Sequence, residues 1–211
     1  MEQSIFHQVL RAVASAMEIP VIILLILFIA FAVFCIGWII AEFIVERRHI
    51  KYSLPKLLDE LKSGEKGIVP CIEESGLLQR QKQALLELTK HPDFDEETLE
   101  GLSQNLLQKE YSHYDSILKA TGLIAKLAPM AGLLGTLIPL GPGIIALGHG
   151  DTYTLSNSLL TAFDTTIAGL LTAGVCLVIH TLRNKWYSAY MSDLETLADC
   201  VTGLVKAHEN E

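Results

Sequence analysis

Small and polar side chains recur at three- and four-residue spacing within an otherwise apolar stretch of the sequence. They are Asn157, Thr161, Asp164, Thr165, Ala168 and Thr172. In a helix this spacing places them along one side, while the other side carries Leu, Ile, Phe and Val. Hydroxyl and carboxylate groups bind water or ions, so the stripe predicts a helix side that faces water or another protein segment, not lipid.

Asp164 is the charged member of this stripe. An ionised carboxylate at the centre of a bilayer costs about 2.5 to 3.5 kcal/mol even on the most lenient insertion scale. Asp164 is therefore expected to face a cavity, to meet a partner, or to keep its proton. The alternative is a carboxylate that lies near the outer headgroups.

A second apolar stretch combines small residues with one hydroxyl. Residues 123–147 read LIAKLAPMAGLLGTLIPLGPGIIAL, in which Gly132 and Gly135 precede Thr136. Small residues let membrane helices approach closely, and neighbouring helices can satisfy backbone groups that proline leaves without a partner. The Thr136 hydroxyl can then point to a close neighbour. The structural alternative is a bond to the carbonyl of its own preceding turn.

These stretches belong to three predicted membrane spans. Residues 20–44 form the first and most apolar, and 25 residues give about 37 Å of helix, enough to cross a hydrocarbon core of about 30 Å. The predicted fold class is an all-α integral membrane protein with long cytoplasmic helical extensions. Its predicted segments are an outer interfacial amphipathic helix (1–19), the first span (20–44), a cytoplasmic helical domain (45–122), the second span (123–147), an external loop (148–156), the third span (157–182) and a cytoplasmic C-terminal helix (183–211).

The cytoplasmic domain shows helical leucine spacing in three stretches. The first starts at Ser53 and Pro55, the second covers 77–90 and ends before Pro92, and the third starts near Asp95 and continues into the second span without a breaker. The N-terminal helix carries Ile5, Phe6, Val9, Leu10 and Val13 on one face. It suits a position in the outer interface or against a neighbouring subunit.

The distribution of Lys and Arg predicts the orientation. Most of the 16 basic residues lie between Arg47 and Lys119 or after the third span, whereas residues 148–156 contain none. Basic residues accumulate on the cytoplasmic side of short loops. The prediction is a prokaryotic cytoplasmic membrane protein, surrounded by lipid, with its N-terminus outside and its C-terminus in the cytoplasm.

Composition and motifs argue against several functional classes. The chain of 211 residues is 50% hydrophobic and has a net charge of −8, with no basic face for nucleic acid. It contains no Walker, nucleophile-elbow, zinc-protease or dinucleotide motif, so no enzyme and no cofactor are predicted. The four cysteines and seven histidines lack metal-ligand spacing, so no metal is predicted either.

Two motifs resemble a known family. The stretch Ala128 to Thr136, APMAGLLGT, resembles the Pro, Gly-Leu-x-Gly-Thr core of the MotA/TolQ/ExbB proton-channel proteins, with ExbB and TolQ as the nearest type. The stretch Thr165 to Leu170, TTIAGL, resembles the Thr-x-x-Gly-Leu of their third helix. The two motifs lie within the second and third predicted spans, residues 123–182, and their order, spacing and topology match together.

The resemblance implies a pentameric ring whose second and third helices line a pore. In the pore lie two copies of a single-span partner similar to ExbD, TolR or MotB, with an Asp that accepts the ion. Thr136 and Thr166 are implied as pore threonines. This sequence has Thr161 where ExbB-like chains have Glu, and Val175 where they have Pro. Asp164, three residues after Thr161, is the candidate replacement.

The predicted function is an ion-channel or stator subunit that turns a proton or sodium gradient into mechanical work. Its predicted ion pathway comprises Thr136, Thr161, Asp164, Thr165 and Thr166, and its predicted helix-packing residues are Gly132, Gly135 and Gly169. The alternative is a non-conducting membrane scaffold in which the Gly- and Thr-rich helices only pack. A small-solute carrier is disfavoured because the three spans contain no inverted repeat.

Overall fold

The computed structural model of the protein describes Val9 and residues 12–49, 54–63, 67–91 and 94–209, and most of these residues are helical. Val9 and residues 12–16 are helical, and the helices that follow are α1 (Glu18–His49), α2 (Leu54–Ser63), α3 (Ile68–Glu74), α4 (Gln79–Thr89), α5 (Glu96–Gly148) and α6 (Thr152–Glu209). Those residues contain no β-strand. The all-α prediction is confirmed for this part of the chain.

Three helical stretches are long and apolar enough to cross a membrane. They are Ala12–Glu42, Glu97–Gly148 and Thr152–Lys206, each of which contains a strongly apolar window. The predicted number of spans is therefore confirmed among the described residues. The helices of the second and third spans extend far beyond the apolar windows, because no helix breaker separates α5 or α6 from its polar continuation.

The connection between the second and third spans is shorter than predicted. The expected loop of residues 148–156 contains only residues 149–151 outside α5 and α6. Gly150 has a φ of 77°, a left-handed conformation that glycine adopts readily, at the end of α5. Asp151 then caps α6, since its carboxylate accepts hydrogen bonds from the backbone N–H and the hydroxyl of Thr154. The cap adds one helical turn that apolar periodicity did not predict.

Helix α3 is absent from the predicted segments. Its seven residues include Pro70. Proline lies here in the first turn, where the backbone N–H has no helical acceptor to lose. The predicted starts and ends at Ser53, Pro92 and Asp93, and residues Ile5, Phe6 and Leu10 of the N-terminal helix, lie outside the described residues.

The chain divides into two compact units, residues 1–39 with 119–181 and residues 40–118 with 182–211. In the first unit, α1 turns one side inward, with Val21, Leu25 and Phe28 at four- and three-residue spacing. These residues pack with Ala128 and Ala131 of α5. The rest of α1 exposes large apolar side chains such as Ile23, Ile26 and Val33, as a lipid-facing helix does.

The second unit has a separate leucine-rich core. It is formed by α2, α3, α4, the first part of α5 and the last part of α6, with Ile72, Leu85, Leu88, Leu99 and Leu197 almost fully buried. Arg80 on α4 forms a bidentate pair with Glu110 on α5, with both N···O distances at 3.0 Å. The hydrogen bond to Glu110 raises the pKa of Arg80 above its ordinary value. Five short or partial helices are thus held by one apolar core.

A buried ion pair lies in the second unit where α1 and α6 leave their apolar windows. The Arg183 and Glu42 side chains are only 3% and 8% exposed, and an Nη2···Oε2 distance of 2.9 Å joins them. The Tyr187 hydroxyl donates to the second Glu42 oxygen at 2.8 Å. Tyr187 in turn packs on Tyr114 of α5, with 4.5 Å between ring centroids. The pair therefore connects three helices through charged and aromatic contacts.

Replacing Arg183 with Met should destabilise this unit by about 3 to 5 kcal/mol, because the Glu42 carboxylate stays buried without its cation. Thermal unfolding of the purified protein in detergent, followed by helical circular dichroism, measures the effect. Lys185→Met is the matched control, since Lys185 is an exposed cation on the same helix. Equal melting temperatures for the two variants would contradict a structural role for the pair.

Candidate functional site

The candidate site lies where α5 and α6 run antiparallel in the first unit. Glycines form the contact. A methyl group on Gly135 would lie 2.7 Å from Thr165 Cβ, and one on Gly169 would lie 2.7 Å from the Ala128 carbonyl oxygen. On Gly132 it would lie 3.0 Å from the Thr165 carbonyl oxygen. Such distances leave no room for a side chain, so the two backbones approach closely only because these residues are glycine.

The contact continues toward both ends of the pair. Near the 149–151 loop, a methyl group on Gly143 would lie 2.9 Å from Ser158 Cβ. At the other end, a methyl group on Gly122 would lie 3.1 Å from Cε1 of His180. The pairs Gly143 with Ser158, Gly135 with Thr165 and Gly122 with His180 fix the register, so depth in one helix can be matched to depth in the other.

Thr136 and Thr166 lie at one depth and on one side of this pair. Each directly follows a residue of the Gly135–Thr165 contact, and each is half-buried. One residue turns a helix by about 100°. In two antiparallel helices, the residue after each contact residue turns toward the same side of the pair. The structure thus brings these two predicted threonines to a common face, here called the threonine face.

The hydroxyls of the threonine face donate within their own helices. Thr136 Oγ1 donates to the Leu133 carbonyl at 2.6 Å, and Thr166 Oγ1 donates to the Ala162 carbonyl at 3.0 Å. The Thr136 hydroxyl therefore donates its hydrogen to its own helix, as the structural alternative expected. A hydroxyl oxygen also has acceptor lone pairs. Both threonines can still accept a hydrogen bond from water or from a protonated group.

Thr165 lies in the helix contact itself. Its side chain is 9% exposed and packs on Gly135, and its hydroxyl donates to the carbonyls of Thr161 and Ala162 at 3.0 Å. Thr172, further along the same stripe, is 4% exposed and bonded to the Ala168 carbonyl. Two members of the polar stripe, Thr165 and Thr172, are therefore packed in this subunit, whereas Asn157 and Asp164 are exposed.

Asp164 lies on the other side of the pair from the threonine face. It precedes Thr165 and so turns the opposite way by about 100°. Its side chain is exposed and has no hydrogen bond or ion pair with any residue that the structure describes. Exposed Leu160, Ile167 and Leu171 surround it on the helix surface. Thr161 is half-buried at the edge of the contact and donates to the Asn157 carbonyl. One subunit does not bring Asp164 to Thr136 and Thr166.

The electrostatics at the loop end of the pair are simple. The Thr154 hydroxyl, and then its backbone N–H, hold the pKa of the Asp151 carboxyl below its ordinary value. Asp151 is therefore ionised at neutral pH, beside the N-terminus of α6, where a negative charge is favourable. Among the residues that the structure describes, no three His, Cys, Asp or Glu side chains are grouped so that they could hold a metal ion.

The second unit contains a groove that the sequence analysis did not predict. It has a volume of about 740 Å³ and lies between the first part of α5 and the last part of α6. Its lining is mainly polar and includes Gln104, Asp115, Asn184, Ser188 and Glu195, together with Tyr111. The sequence feature that could have indicated the groove is the pair Tyr111 and Tyr114, which lie beside the helically spaced leucines of α5. The lining residues of the groove are of mixed type and form no cluster of reactive groups, so they indicate no particular chemistry.

Comparison with known proteins gives the family. The model of the MotA/TolQ/ExbB proton channel family matches residues 73–196, more than half of the chain. The chain belongs to this family. The matched region contains the complete α5–α6 contact and both threonines of the threonine face. The family is a channel and energy-transduction family, and its members work as membrane proteins, in keeping with the three apolar helices.

A curated relative agrees with this assignment. The chain is 33% identical over 112 residues to the biopolymer transport protein exbB1 of Vibrio cholerae, an alignment that covers 51% of this chain and 49% of the relative. The chain thus matches about half the length of that relative. No solved structure matches the chain. The family resemblance inferred from the two sequence motifs is confirmed.

Replacing Gly135 with Ala should separate α5 from α6 or displace Thr165, because the new methyl group lies 2.7 Å from Thr165 Cβ. A lower melting temperature in detergent is the expected result. Gly141→Ala is the matched control, since Gly141 lies on the same helix with nothing within 4 Å of the added methyl group. On helix propensity alone, both changes should stabilise the helix by up to about 1 kcal/mol. Stabilisation by both variants would contradict the close contact.

Proposed function

We propose that this chain forms the wall of an ion channel that converts an ion gradient across the cytoplasmic membrane into mechanical work. Family membership and the threonine face of α5 and α6 support the proposal. Two hydroxyl oxygens at one depth on one side of a close helix pair provide acceptors for a proton carrier or a hydrated ion within an apolar segment.

The proposed assembly is a homopentameric ring with the threonine face turned to the central axis. The position of α1 supports this orientation. Its buried side packs with Ala131 and Ile138 of α5, and Ile138 lies about 160° around the helix from Thr136. Helix α1 therefore covers the side of α5 that faces away from Thr136. This arrangement makes α1 the lipid-side anchor and leaves the threonine side open for pore or partner.

The proposed partner is a dimer of single-span proteins of the ExbD, TolR or MotB type, with an ion-accepting Asp beside Thr136 and Thr166. The ion passes from outside to this carboxylate and leaves to the cytoplasm, and each passage rotates the ring against the partner. One charge moving down 100 mV releases about 2.3 kcal/mol, several times the thermal energy, so a few ions provide useful work. The proposed topology, with the N-terminus outside and the C-terminus inside, follows the distribution of Lys and Arg.

Asp164 has a different proposed place in this assembly. It is about 18 Å along α6 from Thr152, so it lies within the apolar core if the helix starts at the outer surface. An exposed carboxylate among Leu160 and Ile167 is costly against lipid. We place it at the contact with the neighbouring copy in the ring, where a second chain covers it. There, with Thr161, it forms the outer part of the ion pathway in place of the Glu of ExbB-like chains.

The second candidate function is a non-conducting scaffold. The packed position of Thr165 and Thr172 and the intrahelical bonds of every threonine on the predicted pathway support it. If packing is their whole role, changes in threonine alter assembly and leave ion flux unaffected.

Replacing Thr136 or Thr166 with Val should lower the ion flux by about ten- to a hundredfold. A hydrogen bond to a charged group contributes about 1.5 to 3 kcal/mol, and about 1.4 kcal/mol corresponds to a tenfold change in rate. The measurement is dye-monitored flux under an imposed membrane potential, in liposomes that contain the complex purified through a tag on this chain. Thr181→Val is the matched control, since its exposed hydroxyl also donates to its own helix, at the Leu177 carbonyl.

The Asp164→Asn variant tests the outer part of the pathway separately. We expect it to reduce flux while complex size, measured by light scattering, stays unchanged. Full flux in Asp164→Asn, with low flux in Thr166→Val, would remove Asp164 from the pathway and retain the threonine face. Full flux in all three variants would place the ion path elsewhere in the complex and favour a scaffold role for this chain.

A further inference from the structure

Lys126 is a charged side chain inside the second span that the ion pathway does not use. It is exposed, and it has no hydrogen bond or ion pair with any residue that the structure describes. The other charged residue in the part of α5 that belongs to the first unit is Lys119. A charge within a span is costly unless it reaches water or an opposite charge. The position of Lys126 therefore requires an explanation.

The side of α5 that carries Lys126 faces away from both other helices of its unit. Lys126 lies about 160° around the helix from Ala128, whose carbonyl oxygen meets Gly169 of α6. It lies about 140° around from Ala131, which packs with α1. The side chains within about 60° of it are apolar and strongly exposed. They are Leu123, Met130, Leu133 and Leu137. This surface, here called the lysine track, has an apolar length and one cation near its end.

The depth of Lys126 matches the edge of a bilayer core. Gly148, the last residue of α5, is 22 residues away, which is about 33 Å along the helix. The hydrocarbon core is about 30 Å thick. In the proposed orientation, with Gly148 at the outer surface, Lys126 lies at the level of the cytoplasmic headgroups. The apolar part of the lysine track then lies at the depth of the acyl chains.

The first unit supplies no carboxylate at this depth. Its described acidic residues are Glu18 at the start of α1, Asp151 in the loop before α6, and Asp164. The register of α5 and α6 places Lys126 opposite Val175, which is 11 residues or about 16 Å from Asp164. All copies in a symmetric ring lie at the same depth, so the membrane unit of a neighbouring copy brings none of these carboxylates to Lys126 either.

We propose that Lys126 binds the phosphate of an anionic phospholipid of the cytoplasmic leaflet, with the acyl chains along Met130, Leu133 and Leu137. A lipid supplies both the negative charge and the apolar chains that the lysine track lacks. The proposed partner carboxylate does not replace it, since Thr136 is ten residues or about 15 Å away along α5. The inference rests on the proposed orientation of the chain and holds whether or not the complex conducts ions.

Lys119 adds positive charge beside this site. It is exposed and lies seven residues before Lys126, which is about 10 Å along α5 and nearly the same side of it. Lys119 has an interaction with another described residue, so Lys126 is the main phosphate contact. The lysine track lies about 80° around α5 from Thr136. With the threonine face at the ring axis, the lipid therefore lies between neighbouring copies.

The test measures phosphatidylglycerol bound to the complex, purified in neutral detergent through a tag on this chain, by native mass spectrometry. Phosphatidylcholine, which has a phosphate and no net charge, and inorganic phosphate are the comparison ligands. We expect wild type to prefer phosphatidylglycerol to phosphatidylcholine. Lys126→Gln should lower the affinity for phosphatidylglycerol by about tenfold or more, as loss of a hydrogen bond between charged groups does. Lys126→Arg should retain it, because a guanidinium also binds phosphate.

Lys185→Gln is the matched control, since Lys185 is an exposed cation on α6. An equal loss of affinity in Lys126→Gln and Lys185→Gln would show a general effect of charge and overturn the site. Unchanged affinity in Lys126→Gln would also overturn it. Equal binding of the two lipids by wild type would do the same, even where a variant fails to assemble. Displacement of the lipid by inorganic phosphate would assign the site to a soluble phosphate and contradict the lipid. These measurements use no ion gradient, so a complex that binds the lipid and conducts no ions would contradict only the proposed function.

Discussion

The close approach of α5 and α6 is the constraint on which the rest of the membrane unit depends. Two helices at this distance cannot carry side chains between their backbones, and Gly132, Gly135 and Gly169 lie at the points of nearest contact. In a bilayer no hydrophobic effect drives helices together, so the contact depends on packing over a matched surface. Each glycine is therefore a geometric requirement. A single methyl group at one of them would push the two helices apart or displace the residue that it faces.

This contact decides where the polar side chains of the spans can go. Thr165 fills the surface against Gly135, whereas Thr136 and Thr166, one position further on, emerge together on one side. Proline contributes to the same arrangement. Pro129, Pro139 and Pro142 lie inside α5 and remove donors from its hydrogen-bond ladder. Such a helix persists in a membrane because protein packs around it. Helix α5 would be unstable with lipid on all sides, and it is suited to a position where other protein segments pack around it.

The sequence predicted the three membrane helices better than it predicted which side chains of each helix are packed and which are exposed. Three long apolar segments predicted three spans, because an apolar helix of about 18 residues or more has the length and the surface that a bilayer core requires. The motif around Thr136 and Thr165 predicted the family. Periodicity grouped Asp164 with Thr165, yet the structure separates them, since a step of about 100° at the edge of a contact decides between packed and exposed. The early start of α6 depended on the Asp151 cap, and α3 depended on a proline in a first turn. Both are local interactions that apolar spacing does not reveal.

The most direct test of the account is whether water reaches the threonine face in the assembled complex. Single cysteines are introduced at Thr136 and Thr166 after Cys35, Cys71, Cys176 and Cys200 are replaced with Ala, and the complex is treated with a small cationic thiosulfonate that does not cross lipid. Control cysteines replace Ile26 and Val33, which are exposed on α1, the proposed lipid-side anchor. The account predicts modification at positions 136 and 166 and none at 26 and 33. Modification at 26 and 33 without modification at 136 and 166 would contradict it.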